Sequence, residues 1–344
     1  MRNWNDGSRN TSKRTETVKL QWIPSTTLSL LRMVQWISWQ RDLKDASLQK
    51  AIQPTVQSVC TRLVNASIDP AVIWEHLIDE AIAQDNDVEL SPALCEIALI
   101  RGGHSDLQSD QIAMAIHRGL ETCRRAFTAR SPRLADQLRL RYAPLKQAYE
   151  SYGPGLVRSV GKAIWNGSPP TDWWPSRVSV HAVQPIANGA AGASSQQASV
   201  WIEAVLTDMD PDVPEWLRLV YQLTCMAISS HTRTHNSSSG TRTSSDTATG
   251  EAGTSSELPW TTAIVPLILS KAADSGMIPS NRFPLAKALS MWQPELPSAK
   301  APIVERWWEQ VGLTGQPTPI ALKQLAAALS AHNSSDPSTN FHTA

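Results

Sequence analysis

The run over residues 231–257, HTRTHNSSSGTRTSSDTATGEAGTSSE, constrains this chain more than any other feature, because 17 of its 27 residues are Ser, Thr or Gly. No aliphatic side chain larger than Ala occurs in it. Ordering a backbone residue costs about 1–2 kcal/mol, and such a segment has little apolar surface to bury in return. It reads as a disordered linker over 231–257, separating a long first part from a shorter second one. His231 and His235 carry the i, i+4 spacing of two metal ligands on a helix. They lack the glutamate of H-E-x-x-H and sit in sequence not expected to be helical, so no metal site is assigned.

Ahead of the linker, apolar residues recur at helical spacing. Leu28, Leu31, Val34 and Ile37 mark a helix over 24–40, and Leu48, Ile52, Val56, Val59 and Leu63 mark the next, with Asp45 as its cap. Pro54 lies inside that second stripe and predicts a kink or a fresh start. Asp69-Pro70 and Ser91-Pro92 are cap-then-proline starts. A further stripe of Ile112, Ile116, Leu120, Cys123 and Phe127 runs to Arg130, and another begins at Leu134. Gly153-Pro154-Gly155 should break that last helix before a short one over 156–165. After a disordered tail at 1–20, the region 21–166 is therefore expected to be all helical.

The pattern changes at 177–184, RVSVHAVQ, and 198–206, ASVWIEAVL, where period-two alternation rich in Val and Ile predicts two strands. The intervening segment is small and polar enough to be a hairpin loop, so the expected sheet is a two-stranded antiparallel β-ribbon. The region 167–230 then reads as that ribbon plus one helix, marked by Trp216, Leu219, Val220 and Leu223, packed on the helical part. Beyond the linker, 258–331 reads as a helical C-terminal segment and 332–344 as a disordered tail. The expected fold class is thus mainly α, a multi-helix domain with a small β-ribbon.

The chemistry this sequence omits is as informative. It contains no G-x-S-x-G elbow, no C-x-x-C pair, no P-loop and no dinucleotide fingerprint. Cys60, Cys95, Cys123 and Cys225 fall among apolar residues of expected helices and read as reduced, buried thiols. His76, His117 and His181 stand alone. Asp208, Asp210 and Asp212 open like a calcium loop, but Val213 occupies the position that needs Gly and Leu219 that of the bidentate Glu. Those acids instead precede a helix, where they complement its positive end. No catalytic residue, cofactor site or metal site is assigned on these grounds.

Lys plus Arg and Asp plus Glu are both 31, so no global field steers the chain to nucleic acid or an anionic membrane. Locally, 69–100 holds eight acids and no Lys or Arg, whereas 101–162 holds eleven basic residues against five acids. Arg118, Arg124, Arg125, Arg133, Arg139 and Arg141 could form an interaction surface, though solvated charged faces of packed helices account for them as well. Trp supplies 14 of the 21 aromatic residues. Trp173 and Trp174, in a proline-flanked loop, are candidates for the same kind of surface. Of Trp307 and Trp308, adjacent on a helix and about 100° apart, one should be core and the other peripheral.

The segment Glu203-Ala204-Val205-Leu206-Thr207-Asp208, with Asp210-Pro211, Pro214-Glu215 and Leu217-Arg218-Leu219 after it, resembles an uncharacterised bacterial family without an assigned activity. The resemblance spans 177–311 without the linker and implies no site residue. The strand-then-helix order is also superficially similar to zincin peptidases, but PEWLRLVYQLTCM holds no histidine. The functional expectation is a non-catalytic cytosolic protein acting through contact with a protein partner, with no cofactor and no membrane or nucleic-acid partner. Two alternatives remain open: an enzyme with a degenerate hydrolase-like cleft beside the ribbon, using Glu203, His181, Asp208 or Asp210, and weak nucleic-acid binding by the Arg-rich helices over 118–141.

Overall fold

Helix starts follow the capping residues. In the computed structural model, which describes residues 18–84, 86–104, 109–186, 189–194, 196–238, 258–279, 283–313 and 317–333, Asp45 accepts from the Ser47 and Leu48 amides and opens α2 (Ala46–Asn65). Asp69 accepts from Ala71 N and opens α3 (Pro70–Ile82), and Ser91 accepts from Leu94 N and opens α4 (Pro92–Arg101). Each cap satisfies an amide that the first helical turn leaves without a partner. Replacing Ser91 with Ala is expected to lower the unfolding free energy by about 1 kcal/mol in a urea titration.

The first helix, α1 (Thr26–Ser38), is capped differently. Ser25 stands at its N-cap but makes no side-chain cap bond. The carboxylate of Asp87 reaches in from the α3–α4 connection and accepts from the amides of Thr26, at 2.9 Å, and Thr27, at 3.1 Å. That leaves the Ser25 hydroxyl for another partner.

Proline neither ends nor restarts the helices that contain it. Helix α2 runs through Pro54 as one element, and α6 (Leu134–Ile164) runs for 31 residues through Pro144 and Pro154. No break occurs at Gly153-Pro154-Gly155. Tertiary burial offsets the lost bond: Leu145, Tyr149, Leu156, Val157, Val160 and Ile164 along α6 all sit in one apolar core. The Tyr149 ring lies over Gly153 so closely that a Cβ there would overlap it. Gly153→Ala should therefore cost about 1–3 kcal/mol through overpacking, although helix propensity alone would favour Ala by up to about 1 kcal/mol. A denaturant midpoint above the wild-type value would contradict that packing.

The sheet departs from the expected ribbon. Four strands, β1 (Lys19–Pro24), β2 (Arg177–Val183), β3 (Ala191–Ser194) and β4 (Ser199–Glu203), lie in the order β1-β2-β4-β3. β1 pairs parallel to β2 and β2 parallel to β4, while only β3 and β4 are antiparallel. The two segments expected to form a hairpin are thus parallel neighbours, and the supposed loop between them contains β3. β1, at the start of a region read as all helical, was not expected.

Alternation misled the strand reading for a physical reason. Val178 and Val180 of β2, with Val200 and Ile202 of β4, face one apolar core. The alternating polar residues Ser179, His181 and Glu203 do not face water; they are buried as well. A sheet covered on both faces is what parallel strands require.

That sheet separates two cores. One gathers α1 to α4, α5 (Ser109–Arg130) and the start of α6. The other gathers the rest of α6, α7 (Glu215–Ser238), α8 (Trp260–Asp274), α9 (Leu285–Trp292), α10 (Ala301–Gln310) and α11 (Thr318–Asn333). The fold is mainly helical with a small mixed sheet, and no helix among the described residues is long and apolar enough to cross a membrane. Helix α7 continues to Ser238, so 231–238 is helical rather than part of an unstructured linker. Residues 239–257, and the tails 1–17 and 334–344, lie outside the described residues.

Candidate functional site

A cavity of about 1110 Å³ runs along the outer strand β3. Ala191, Ala193 and Ser194 of that strand line it, with Ala190 before them and Gln196 after. Arg32 and Trp36 of α1, with Trp39 and Arg41 after that helix, also line the cavity, as do Arg218, Tyr221, Cys225 and Met226 of α7 and Lys287, Met291 and Trp292 of α9. Among the described residues no strand pairs with the outer edge of β3.

Small side chains make this edge approachable. Gly192 pairs with Trp201, and a Cβ at Gly192 would lie 2.5 Å from the Trp201 indole nitrogen. Arg32 stacks over the Trp201 ring, its guanidinium carbon 4.0 Å from the ring centroid, and bonds the Gln35 side chain through Nη1. At the groove entrance Arg41 lies over both Trp36, at 4.6 Å, and Trp39, at 5.6 Å. Trp39 is 40% exposed, so this end of the wall presents an aromatic face to solvent.

Behind the groove lies a buried ionic cluster at the carboxyl end of β4. Glu203, 1% exposed, accepts from the amides of Gly189, at 2.7 Å, and Ala190, at 3.2 Å. Gly189 has φ +91°, a conformation that favours glycine, and its Cα packs against the Arg218 guanidinium closely enough that any Cβ would overlap it. Arg218, also 1% exposed, donates from Nη2 to Glu215 Oε1 at 2.9 Å. Burial pushes the Glu215 carboxyl up to about 7, and the neighbouring Arg218 only partly offsets it. Burial likewise lowers Arg32 to about 10, against the opposing charge of Glu203, and lowers Arg218 against Glu215 and Glu203.

The residues of the enzyme alternative do not converge on the groove. Ser25 Oγ and His181 Nδ1 are 2.7 Å apart in the interior, which is where the hydroxyl released from capping goes. Glu203 is held by backbone amides. Asp208 accepts from Glu215 N at 2.8 Å, as an acid preceding a helix should, and Lys287 bridges Asp210 and Asp212 at 2.9 and 2.8 Å. Of those four residues, Asp210 alone lines the cavity.

Trp173, expected at an interaction surface, is an interior residue at 3% exposure because its ring packs edge-on against Trp165, with Trp174 half-buried beside it. His231 packs against Trp165 and Trp173, and these residues with Trp260 border an apolar cavity of about 360 Å³. Arg118, Arg124, Arg125, Arg133, Arg139 and Arg141 are exposed along α5 and α6, with Arg124 paired to Glu121 and Arg139 to Asp136. Trp307 is core and donates to Ala321 O, whereas Trp308 is peripheral. All four cysteines are free thiols, and burial pushes Cys95, Cys123 and Cys225 up to about 12.

No family model, curated protein or solved structure matches the chain. None of these comparisons supports the resemblance of 177–311 to an uncharacterised bacterial family.

Proposed function

We propose that this chain is a non-catalytic binding protein that captures an extended polypeptide segment in the groove along β3, by strand addition. One observation carries the reading: the outer edge of β3 is unpaired among the described residues and runs along a groove large enough for several residues of extended chain. An unpaired strand edge offers a row of amide and carbonyl groups to another backbone. Ala191, Gly192, Ala193 and Ser194 place only small side chains along it, with α7 packed beside β3, and Trp36, Trp39, Tyr221 and Trp292 supply walls for alternate side chains. The free thiols fit a reducing compartment such as the cytoplasm.

The test uses an immobilised full-length chain and a random decapeptide library, followed by N-methylation of a selected peptide at single positions. Methylating alternate amides should weaken binding at least tenfold, with the intervening positions tolerant, since every second amide of an added strand faces its neighbour. Uniform tolerance along the peptide would refute strand addition.

A further inference from the structure

We propose that Arg218 and Arg32 form a carboxylate-binding end to this groove, which takes the free C-terminus of the captured peptide. The inference rests on the strand-addition reading and names the chemistry of its partner. Arg218 is almost wholly buried, lines the groove and donates from Nη2 to Glu215; its Nε and Nη1 have no hydrogen-bond acceptor among the described residues. Arg32 lines the same groove, donates from Nη1 to Gln35 and has no acceptor at Nε among the described residues. Trp292, which also lines the groove, has its Nε1 buried without a partner among the described residues.

Buried donors of this kind are costly to leave unmade, most of all when they carry charge. Four of them around one cavity call for an acceptor with several oxygens, and a guanidinium fork matches a carboxylate in plane and spacing. The cluster's own carboxylates balance charge without meeting these donors: Glu203 acts on both guanidinium groups electrostatically while accepting from the Gly189 and Ala190 amides, and Glu215 reaches Arg218 through a single oxygen. Glu215, with its raised carboxyl, can keep a proton beside an arriving anion.

Direction follows from the strand. β3 begins next to Gly189 and Ala190, the segment packed on Arg218, so a peptide running antiparallel to β3 ends its chain beside the two arginines. A C-terminal carboxylate, rather than an acidic side chain farther along, is the group delivered there.

The experiment presents the full-length chain with two random decapeptide mixtures, identical except that one carries free C-termini and the other C-terminal amides. Selected peptides are then titrated by tryptophan fluorescence. The acid form of a selected peptide should bind at least tenfold more tightly than its amide, and Arg32→Lys should shrink that acid-over-amide ratio at least threefold. Equal binding of acid and amide overturns the carboxylate end but leaves strand addition standing. Selection governed by acidic side chains whatever the terminus overturns it too. If neither mixture binds, both readings fail together.

Discussion

Arg218→Ala is expected to lower the unfolding free energy by about 3–5 kcal/mol at pH 8, and by distinctly less at pH 5, in urea titrations. The reason lies in what remains after truncation. Arg218 is 1% exposed and is the ion-pair partner of Glu215, itself 4% exposed, with Glu203 close enough to interact electrostatically with both. Removing the cation leaves a buried carboxylate without its counter-charge, which costs far more than the net worth of the pair. At pH 5 Glu215 escapes by holding a proton, so the penalty shrinks. Replacing both partners with apolar residues, Arg218→Met with Glu215→Leu, should recover most of the loss, because the desolvation of two charges disappears with the charges. A loss under about 1 kcal/mol at pH 8, or the same loss at both pH values, would show that this pair is not the buried ionic unit the geometry describes.

Much of this arrangement was written locally in the sequence, and the remainder depends on partners distant along the chain. Asp45, Asp69 and Ser91 announced their helices because a cap acts on the amides two or three residues away. The stripe of Leu48, Ile52, Val56, Val59 and Leu63 matches the buried face of α2 residue for residue. Strand direction carries no such local mark: the alternation of β2 and β4 is the same whether they pair parallel or antiparallel. β1 did leave a signal, since Val18, Leu20 and Trp22 alternate with Lys19 and Gln21. β3, Ala-Gly-Ala-Ser, left none, because its residues have little strand preference and take their conformation from β4. The groove residues were legible only in part. Arg32 and Gln35 interrupt the apolar run Leu30–Ile37 of α1, a hint that polar groups were to be buried there, but nothing local indicates that Arg32 would stack on Trp201 or share a groove with Arg218.

Between about pH 5 and pH 7 the stability of the protein is expected to decline relative to that of Glu215→Gln. The sign follows from linkage. The Glu215 carboxyl titrates near 7 when folded and near its ordinary value of 4.5 when unfolded, so the native state binds more protons across that window. Its contribution is therefore fully present below about pH 4.5 and is lost as pH rises through 7, by up to about 1.4 kcal/mol per pH unit and on the order of 3 kcal/mol in all. Asp210 works the other way, its carboxyl lowered by hydrogen bonds from Lys287 and the Asp212 amide, and its gain is complete before Glu215 begins to titrate in the folded state. Two opposing influences meet at Glu215 itself. Its place in the first turn of α7 and its bond to Arg218 favour the anion, whereas burial favours the acid and prevails. Glutamine keeps the size and one acceptor oxygen without the titration, so urea midpoints of Glu215→Gln should be flat where those of the wild type fall. Parallel midpoint profiles for the two proteins from pH 5 to 7 would mean that this carboxyl is ionised throughout the range, and that Arg218, not burial, governs it.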